Sequence, residues 1–442
     1  MNKQPLLYGI IKIWVRTGLS AYFKRIAIVG LEHVPPKGPL LFTPNHQNAF
    51  LDALVIAAYL NRPVFFITRS DVFANPLANR FFRALNMMPI YRQRDKVDTI
   101  EMNKPIFEAT AKILGNNGAI IIFPEGNQER KHNLRPLQKG FARMAFGAAM
   151  LKTPPFNIQI APVGIYYGNH LNARHDLVVQ IGAPLQLHHF FEDYAQNQQQ
   201  ALKTLANNLA PQMQQLILHI PPTEYYHAID YLRTLYRPVF LKRQKLPFSV
   251  VNCFRAEQKI VAALDNLQQQ QPAEMEKISE LAFRFQQLNR LHLLSPEVMA
   301  KPPVSGFGLL VNLAMLLVLL PVAGWGWLNH LPAMLLPQII AGRFVKDLNF
   351  FSSVKFLAAL CSFTLFYVLQ TGLLWLFSGS FLWAFLYLLS LPLSGRVALF
   401  CKDAFVRLKQ RWHYLRLSQT GNGAELISTY RDITGALNNL MP

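Results

Sequence analysis

The chain has 442 residues, 51% of them hydrophobic, with 44 Lys and Arg against 24 Asp and Glu for a formal charge of +20. That length leaves room for two or three domains, the apolar content excludes a disordered chain, and three scattered cysteines exclude a disulfide framework and point to a reducing compartment. The charge favours a polyanionic partner, either an anionic lipid surface or a phosphorylated substrate. It argues against nucleic acid, because no zinc-ligand spacing, helix-turn-helix or RNP-type aromatic motif accompanies it.

At the start, Leu6, Leu7, Ile10, Ile11, Ile13 and Trp14 recur at near-helical spacing among Lys3, Lys12, Arg16, Lys24 and Arg25. Such a basic amphipathic helix over 1–29 suits a membrane surface, and suits equally well an ordinary helix packed on the domain that follows. Lys12 and Arg16 interrupt its apolar run, so a signal-peptide core is not expected. From 30 to 190, apolar strands alternate with helices. The strands are expected at 40–43, 64–68, 88–91, 119–123, 158–166 and 177–181, and the helices at 48–60, 76–85, 98–115 and 139–151. This alternation predicts an α/β domain, a mixed sheet flanked by helices.

Four blocks punctuate that domain. Pro44-Asn45-His46-Gln47-Asn48-Ala49-Phe50-Leu51-Asp52 places an imidazole and a carboxylate at a strand-to-helix turn; a histidine so oriented makes a neutral-pH base for a hydroxyl. Alone, a pair at this spacing is as a rule structural. The other blocks are Met88-Pro89-Ile90-Tyr91-Arg92, Ile120-Ile121-Ile122-Phe123-Pro124-Glu125-Gly126-Asn127 and Ile160-Ala161-Pro162-Val163-Gly164-Ile165-Tyr166. In this order they resemble the glycerolipid acyltransferase family, which includes lysophosphatidate and glycerol-phosphate acyltransferases. The five residues between His46 and Asp52 exceed the family's usual four and resemble its subgroup of fungal glycerol-3-phosphate/dihydroxyacetone-phosphate acyltransferases. Asn127 stands where Ser or Thr is usual.

The resemblance implies His46 and Asp52 as catalytic base and orienting carboxylate. It implies substrate contacts from Arg92 to phosphate, from Glu125, Gly126 and Asn127 to the acceptor, from Lys139 as added positive charge, and from Pro162 in an acyl channel. A carboxylate beside a phosphate repels it, so Glu125 is expected to bind a hydroxyl or pair with an arginine. No G-x-S-x-G or acyl-enzyme nucleophile is present, which favours direct attack on a thioester. No metal set, Walker loop or dinucleotide fingerprint is present either, so the expected small molecules are an acceptor and an acyl-CoA or acyl-carrier donor.

Residues 191–300 read as a helical linker region, with a hairpin whose Gln-rich turn precedes Pro272. From 301 to 401 lie apolar stretches at 307–328, 331–342, 356–377 and 381–400. With Lys301, Arg343, Lys346, Lys355, Lys402 and Arg407 around them, two hairpins turning at 324–330 and 378–380 would place all six basic residues on one side. A basic tail, 402–442, follows. The expectation is a membrane-bound acyltransferase of phospholipid synthesis acting on glycerol 3-phosphate or dihydroxyacetone phosphate. It would sit in a bacterial inner membrane with its catalytic domain cytoplasmic. The alternatives are a lysophosphatidate acyltransferase and a non-catalytic protein that binds anionic lipid.

Overall fold

The structure, a computed structural model, describes residues 6–91, 98–151, 154–301, 306–417 and 421–441. The chain divides into two compact units, Met1–His219 with Val345–Phe356, and Ile220–Phe344 with Leu357–Pro442.

The first unit is built on one mixed sheet. Its strands are β1 (Arg25–Val29), β2 (Leu40–Pro44), β3 (Phe65–Arg69), β4 (Met87–Ile90), β5 (Ala119–Ile121), β6 (Gln159–Tyr167), β7 (Asp176–Ile181) and β8 (Leu185–Gln186). They lie in the order β1-β7-β6-β2-β5-β3-β4, with β8 beside β6. All neighbours are parallel except β6 with β7 and with β8. The helices are α1 (Leu6–Tyr22), α2 (Ala49–Tyr59), α3 (Pro76–Ala84), α4 (Thr99–Gly115), α5 (Gly140–Ala149), α6 (Phe191–Gln196) and α7 (Gln198–Leu216). The six expected strands and four expected helices of this region are all present, shifted at their ends by a residue or two.

Helix α1 ends at Tyr22, and 25–29 is a strand, not the tail of the helix. Arg25 there pairs with Asp176 of β7 through two bonds of 2.7 and 2.6 Å. The helix buries Tyr8, Val15, Leu19 and Tyr22 and leaves Leu6, Leu7, Ile10 and Ile13 exposed. The core on one face of the sheet gathers Leu41, Ile120 and Ile160 with Phe141, Phe146, Leu205 and Leu209 of α5 and α7. On the central strand β2 all five residues are buried, which requires apolar cover on both faces and explains its continuous apolar run.

The second unit is helical: α8 (Tyr226–Arg243), α9 (Val250–Gln270), α10 (Pro272–His292), α11 (Pro296–Met299), α12 (Gly306–Phe344), α13 (Phe351–Ser378, from Leu357 onward in this unit), α14 (Phe381–Leu417) and α15 (Gly421–Leu440). The helices α9 and α10 form the expected hairpin about Gln271. Three stretches, Gly306–Phe344, Leu348–Ser378 and Phe381–Leu417, are long and apolar enough to cross a membrane.

Here the structure departs from expectation. Helix α12 runs without a turn at 324–330, so the first of the two hairpins is not formed; the second turn is, at Gly379 with φ +62°. Gly324 and Gly326 lie in the expected turn, but among apolar side chains the helix satisfies its own backbone where a turn would not. Pro337 lacks the N–H that Ala333 O would accept, and the Ser362 hydroxyl donates to that carbonyl instead at 2.9 Å. At 1.5 Å per residue the helix is about 58 Å long, well beyond the ~30 Å of a bilayer core.

Candidate active site

Strand β2 aims its end at the site. Asn45, just past it, uses its side chain as a peptide mimic: Nδ2 donates to Ile165 O at 3.0 Å and Oδ1 accepts from Ile165 N at 2.7 Å. The clamp carries the pairing with β6 beyond Pro44 and fixes where the next residue, His46, begins. The chain then turns sharply into α2 through Ala49, whose φ of +45° lies in the left-handed region that a residue with a Cβ rarely occupies. Ser353 pins this turn, accepting from Leu51 N at 3.1 Å and donating to Asn48 O at 2.6 Å.

Asp52, in the first turn of α2, has no exposed side-chain surface and accepts four hydrogen bonds. Oδ2 takes His46 Nδ1, Gln47 N and Asn48 N, each at 2.8 Å, and Oδ1 takes the Tyr167 hydroxyl at 2.7 Å. The two N–H groups belong to the turn that leads into α2, so one carboxylate both holds the entry to the helix and orients the ring. A carboxylate here only accepts, so Nδ1 carries the proton and Nε2 of the neutral ring is the acceptor. The imidazole is 17% exposed and stacks on Phe123 at 4.0 Å between centroids. Tyr167 is buried beside the Asp52 charge; burial first, then that charge, raises its pKa well above the ordinary value and keeps it a donor.

Glu125 closes the other side. Its Oε1 accepts from His46 N at 2.7 Å, and its Oε2 accepts from Arg135 N at 3.2 Å and Arg135 Nε at 2.8 Å. Of the two expected roles, hydroxyl binding or pairing with an arginine, the structure forms the pairing. Gly126 follows with φ +72°, which glycine allows, and Asn127 is exposed, its carbonyl accepting from Arg135. Lys139 is half-buried at the start of α5, beside Gln138, whose N–H donates to Pro124 O at 2.7 Å. Pro162 is not brought to the histidine: it is buried in β6, five residues and so one face away from Tyr167, opposite the gap between Ile181 and Leu185. Arg92, with Arg94, lies outside the described residues.

Burial pushes the Glu125 carboxyl above the ordinary 4.5, against the pull of Arg135 and the His46 N–H. Between the ordinary value and the raised one, the folded state binds a proton that the unfolded chain does not. Lowering the pH through that window therefore stabilises the fold, and raising it removes that stability. Wild type is expected to gain stability relative to Glu125→Gln as the pH falls from neutral toward 4.5, in denaturant titrations of both proteins; a relative loss would contradict this.

An open cavity of about 370 Å³ lies beside the turn, lined in part by Glu129, Arg130, Lys131 and His170. Gln47 ties it to the turn, donating to Lys131 O at 2.8 Å and accepting at Oε1 from His170 Nε2 at 3.1 Å. Tyr167, Arg135, Ser353 and His170 were not foreseen from sequence. Only Arg135, ten residues after Glu125, could have been, as the arginine that a buried glutamate calls for.

Residues 25–166 match the protein-family model described as Acyltransferase, and His46, Asp52 and Glu125 all fall inside the match. This stretch is an acyltransferase-family domain. The chain is 30% identical to Glycerol-3-phosphate O-acyltransferase 1 of Saccharomyces cerevisiae over 163 residues, 36% of this chain and 21% of that protein. It is 24% identical to Glycerol-3-phosphate O-acyltransferase 2 of the same yeast over 162 residues, again 36% and 21%. The chain thus spans about a fifth of the length of these relatives. A crystal structure of the 1-acyl-sn-glycerophosphate (LPA) acyltransferase from Thermotoga maritima aligns with 49% of this chain and 83% of its own. Its TM-score of 0.36 and identity of 16% make it too distant to bear on the site.

Tyr167, the residue just past the matched stretch, is expected to act through Asp52. Tyr167→Phe keeps the ring and deletes one hydrogen bond to a buried charge, a loss of roughly 1.5–3 kcal/mol of stability. The kcat should fall with KM unchanged. Unaltered melting and kcat would mean that the bond does not hold the carboxylate.

Proposed function

We propose that the chain is a membrane-bound O-acyltransferase of glycerolipid synthesis, moving a fatty acyl group from an acyl thioester to glycerol 3-phosphate or dihydroxyacetone phosphate. The observation that carries this reading is the 2.8 Å contact of His46 Nδ1 with the buried Asp52, inside the stretch that matches the acyltransferase family. The acceptor hydroxyl gives its proton to His46 Nε2 as its oxygen bonds to the thioester carbonyl carbon. The tetrahedral intermediate collapses, the C–S bond breaks, and the leaving thiolate takes the proton back from the imidazolium. Asp52 stabilises that imidazolium while it lasts. No protein nucleophile is called on; Cys253, Cys361 and Cys401 all belong to the second unit.

The five-residue His46–Asp52 gap and the names of the two yeast relatives favour glycerol 3-phosphate or dihydroxyacetone phosphate over lysophosphatidate. The acceptor's phosphate is assigned to Arg92 by family resemblance, with Arg130 and Lys131 supplying positive charge beside the turn. Both oxygens of Glu125 are engaged within the protein, so its role in this reading is to position His46. Asn127, exposed at the same turn, is a proposed acceptor contact. In this reading the catalytic unit faces the cytoplasm, where thioester donors are made, at a bacterial inner membrane. The three apolar helices and the exposed apolar face of α1 support the membrane assignment.

The test offers labelled acyl-CoA and acyl-carrier protein to the protein in lipid, each with glycerol 3-phosphate, dihydroxyacetone phosphate and lysophosphatidate in turn. Transfer to either of the first two is the expected result. Transfer to lysophosphatidate alone would reassign the acceptor. No transfer to any of them by folded protein would replace the enzyme reading with that of a lipid-binding protein.

A further inference from the structure

In the second unit, α12 and α14 pack along a seam of Leu316, Ala323, Ala398 and Cys401, and near the start of α12 and the end of α14 that seam borders a small cavity of about 120 Å³. Asn312 and Met315 of α12 face Phe400, Leu408, Arg407 and Arg411 of α14 across it. On α14 these positions form one stripe of the helix, with the apolar Phe400 roughly 16 Å along the axis from Arg411.

Three observations define what fits. First, the wall holds two guanidinium groups one helical turn apart and no carboxylate; Asp403, the one acid of α14, is not part of it. Like charges at this spacing repel each other, and an anion between them removes the penalty. The planar fork of arginine suits phosphate oxygens in particular. Second, Met315, Phe400 and Leu408 line the same cavity, which suits a ligand whose phosphate is attached to hydrocarbon. Third, the cavity sits where α14 changes character. Residues 381–400 carry a single charge, Arg396, whereas 401–417 carry five Lys and Arg against Asp403. Trp412 beyond the arginines is 55% exposed, with Arg416 over its ring at 5.5 Å, the kind of side chain that settles at the level of lipid headgroups.

We propose that this cavity binds the phosphate headgroup of an anionic phospholipid, with Arg407 and Arg411 as the phosphate ligands and the apolar residues against the start of the acyl chains. Basic pockets between membrane helices at headgroup depth take such lipids, and two guanidinium groups on a wall without a carboxylate select an anionic headgroup over a zwitterionic one.

The test titrates the full chain, delipidated in neutral detergent, with a fluorescent short-chain phosphatidylglycerol and with its phosphatidylcholine counterpart. Phosphatidylglycerol is expected to bind more tightly. Arg407→Gln with Arg411→Gln should weaken it by roughly tenfold or more, at about one order of magnitude for two lost lipid-facing charges. The pair Lys402→Gln with Lys409→Gln removes the same charge from exposed positions outside the cavity and should leave affinity within about twofold of wild type, since no ligand contact is lost. Equal weakening by both pairs, or equal binding of the two lipids, overturns the proposal. Displacement of the lipid by millimolar inorganic phosphate would assign the cavity to a soluble phosphate and overturn the lipid assignment. Should the glutamine pair fail to melt cooperatively, the pair Arg407→Lys with Arg411→Lys keeps the charge and removes the fork; its affinity must then fall. Binding is read here without acyl transfer, so this result and that of the reaction assay stand apart.

Discussion

Asp52→Asn is expected to lower kcat by roughly 10²–10⁴-fold at neutral pH with KM nearly unchanged, the range for loss of a group that serves general-base catalysis. The substitution is a clean one because the site can absorb it. Asparagine Oδ1 can still accept from His46 Nδ1, Gln47 N and Asn48 N, and its Nδ2 can donate to a Tyr167 hydroxyl that turns to accept. The ring therefore keeps its tautomer, and what disappears is the negative charge that stabilises the imidazolium. His46→Ala, which removes the base itself, should cost at least as much, and the double variant little more than the worse single one, because the two act as a unit. Stopped assays on refolded, reconstituted protein check this. An Asp52→Asn enzyme within a few-fold of wild type would assign the carboxylate to holding the helix entry alone.

The second large effect is on stability. Glu125→Ala should destabilise the first unit by about 3 kcal/mol or somewhat more, the low end for breaking a buried ion pair, because Arg135 keeps 18% of its side-chain surface exposed. Two losses combine: Arg135 is left without its carboxylate, and the His46 N–H without its acceptor. Arg135→Ala alone should also destabilise, by stranding a carboxylate that is 2% exposed. The double variant should then be more stable than the sum of the singles predicts, with a coupling on the order of 1 kcal/mol or more. Denaturant titrations of the four proteins give that coupling directly, and strict additivity would mean that the pair contributes nothing as a pair. Activity should fall with Glu125→Ala, since the residue next to the base loses its anchor.

Much of the first unit was readable from the chain. The strands at 40–44, 119–121 and 159–167 are apolar runs bounded by turn residues, and Asn48, a good N-cap residue, marked the start of α2 to within a residue. Strand β1 was not read from the chain, because Arg25 and Lys24 made 25–29 resemble the end of a basic helix; its ladder is formed with β7, some 150 residues away. The same holds at the site. His46, Asp52 and Glu125 sit in local motifs, whereas Tyr167 and Ser353 reach the turn only through the fold. In α12 the local turn signals of Gly324 and Gly326 were overruled, since among apolar side chains an unpaired peptide group costs more than continuing the helix.

The Ser353 clamp has a practical consequence. The first unit is discontinuous: the segment Val345–Phe356 that steadies the turn is separated from Met1–His219 by Ile220–Phe344 of the helical unit. A soluble fragment ending near His219 would retain both members of the dyad and all eight strands, yet lose the hydroxyl that holds Asn48 and Leu51 while Ala49 keeps its unfavourable backbone angle. Such a fragment would report the dyad's chemistry on a relaxed turn. Excision and domain grafting, the usual shortcuts with a chain that carries long apolar helices, would here remove part of the candidate site's own scaffold.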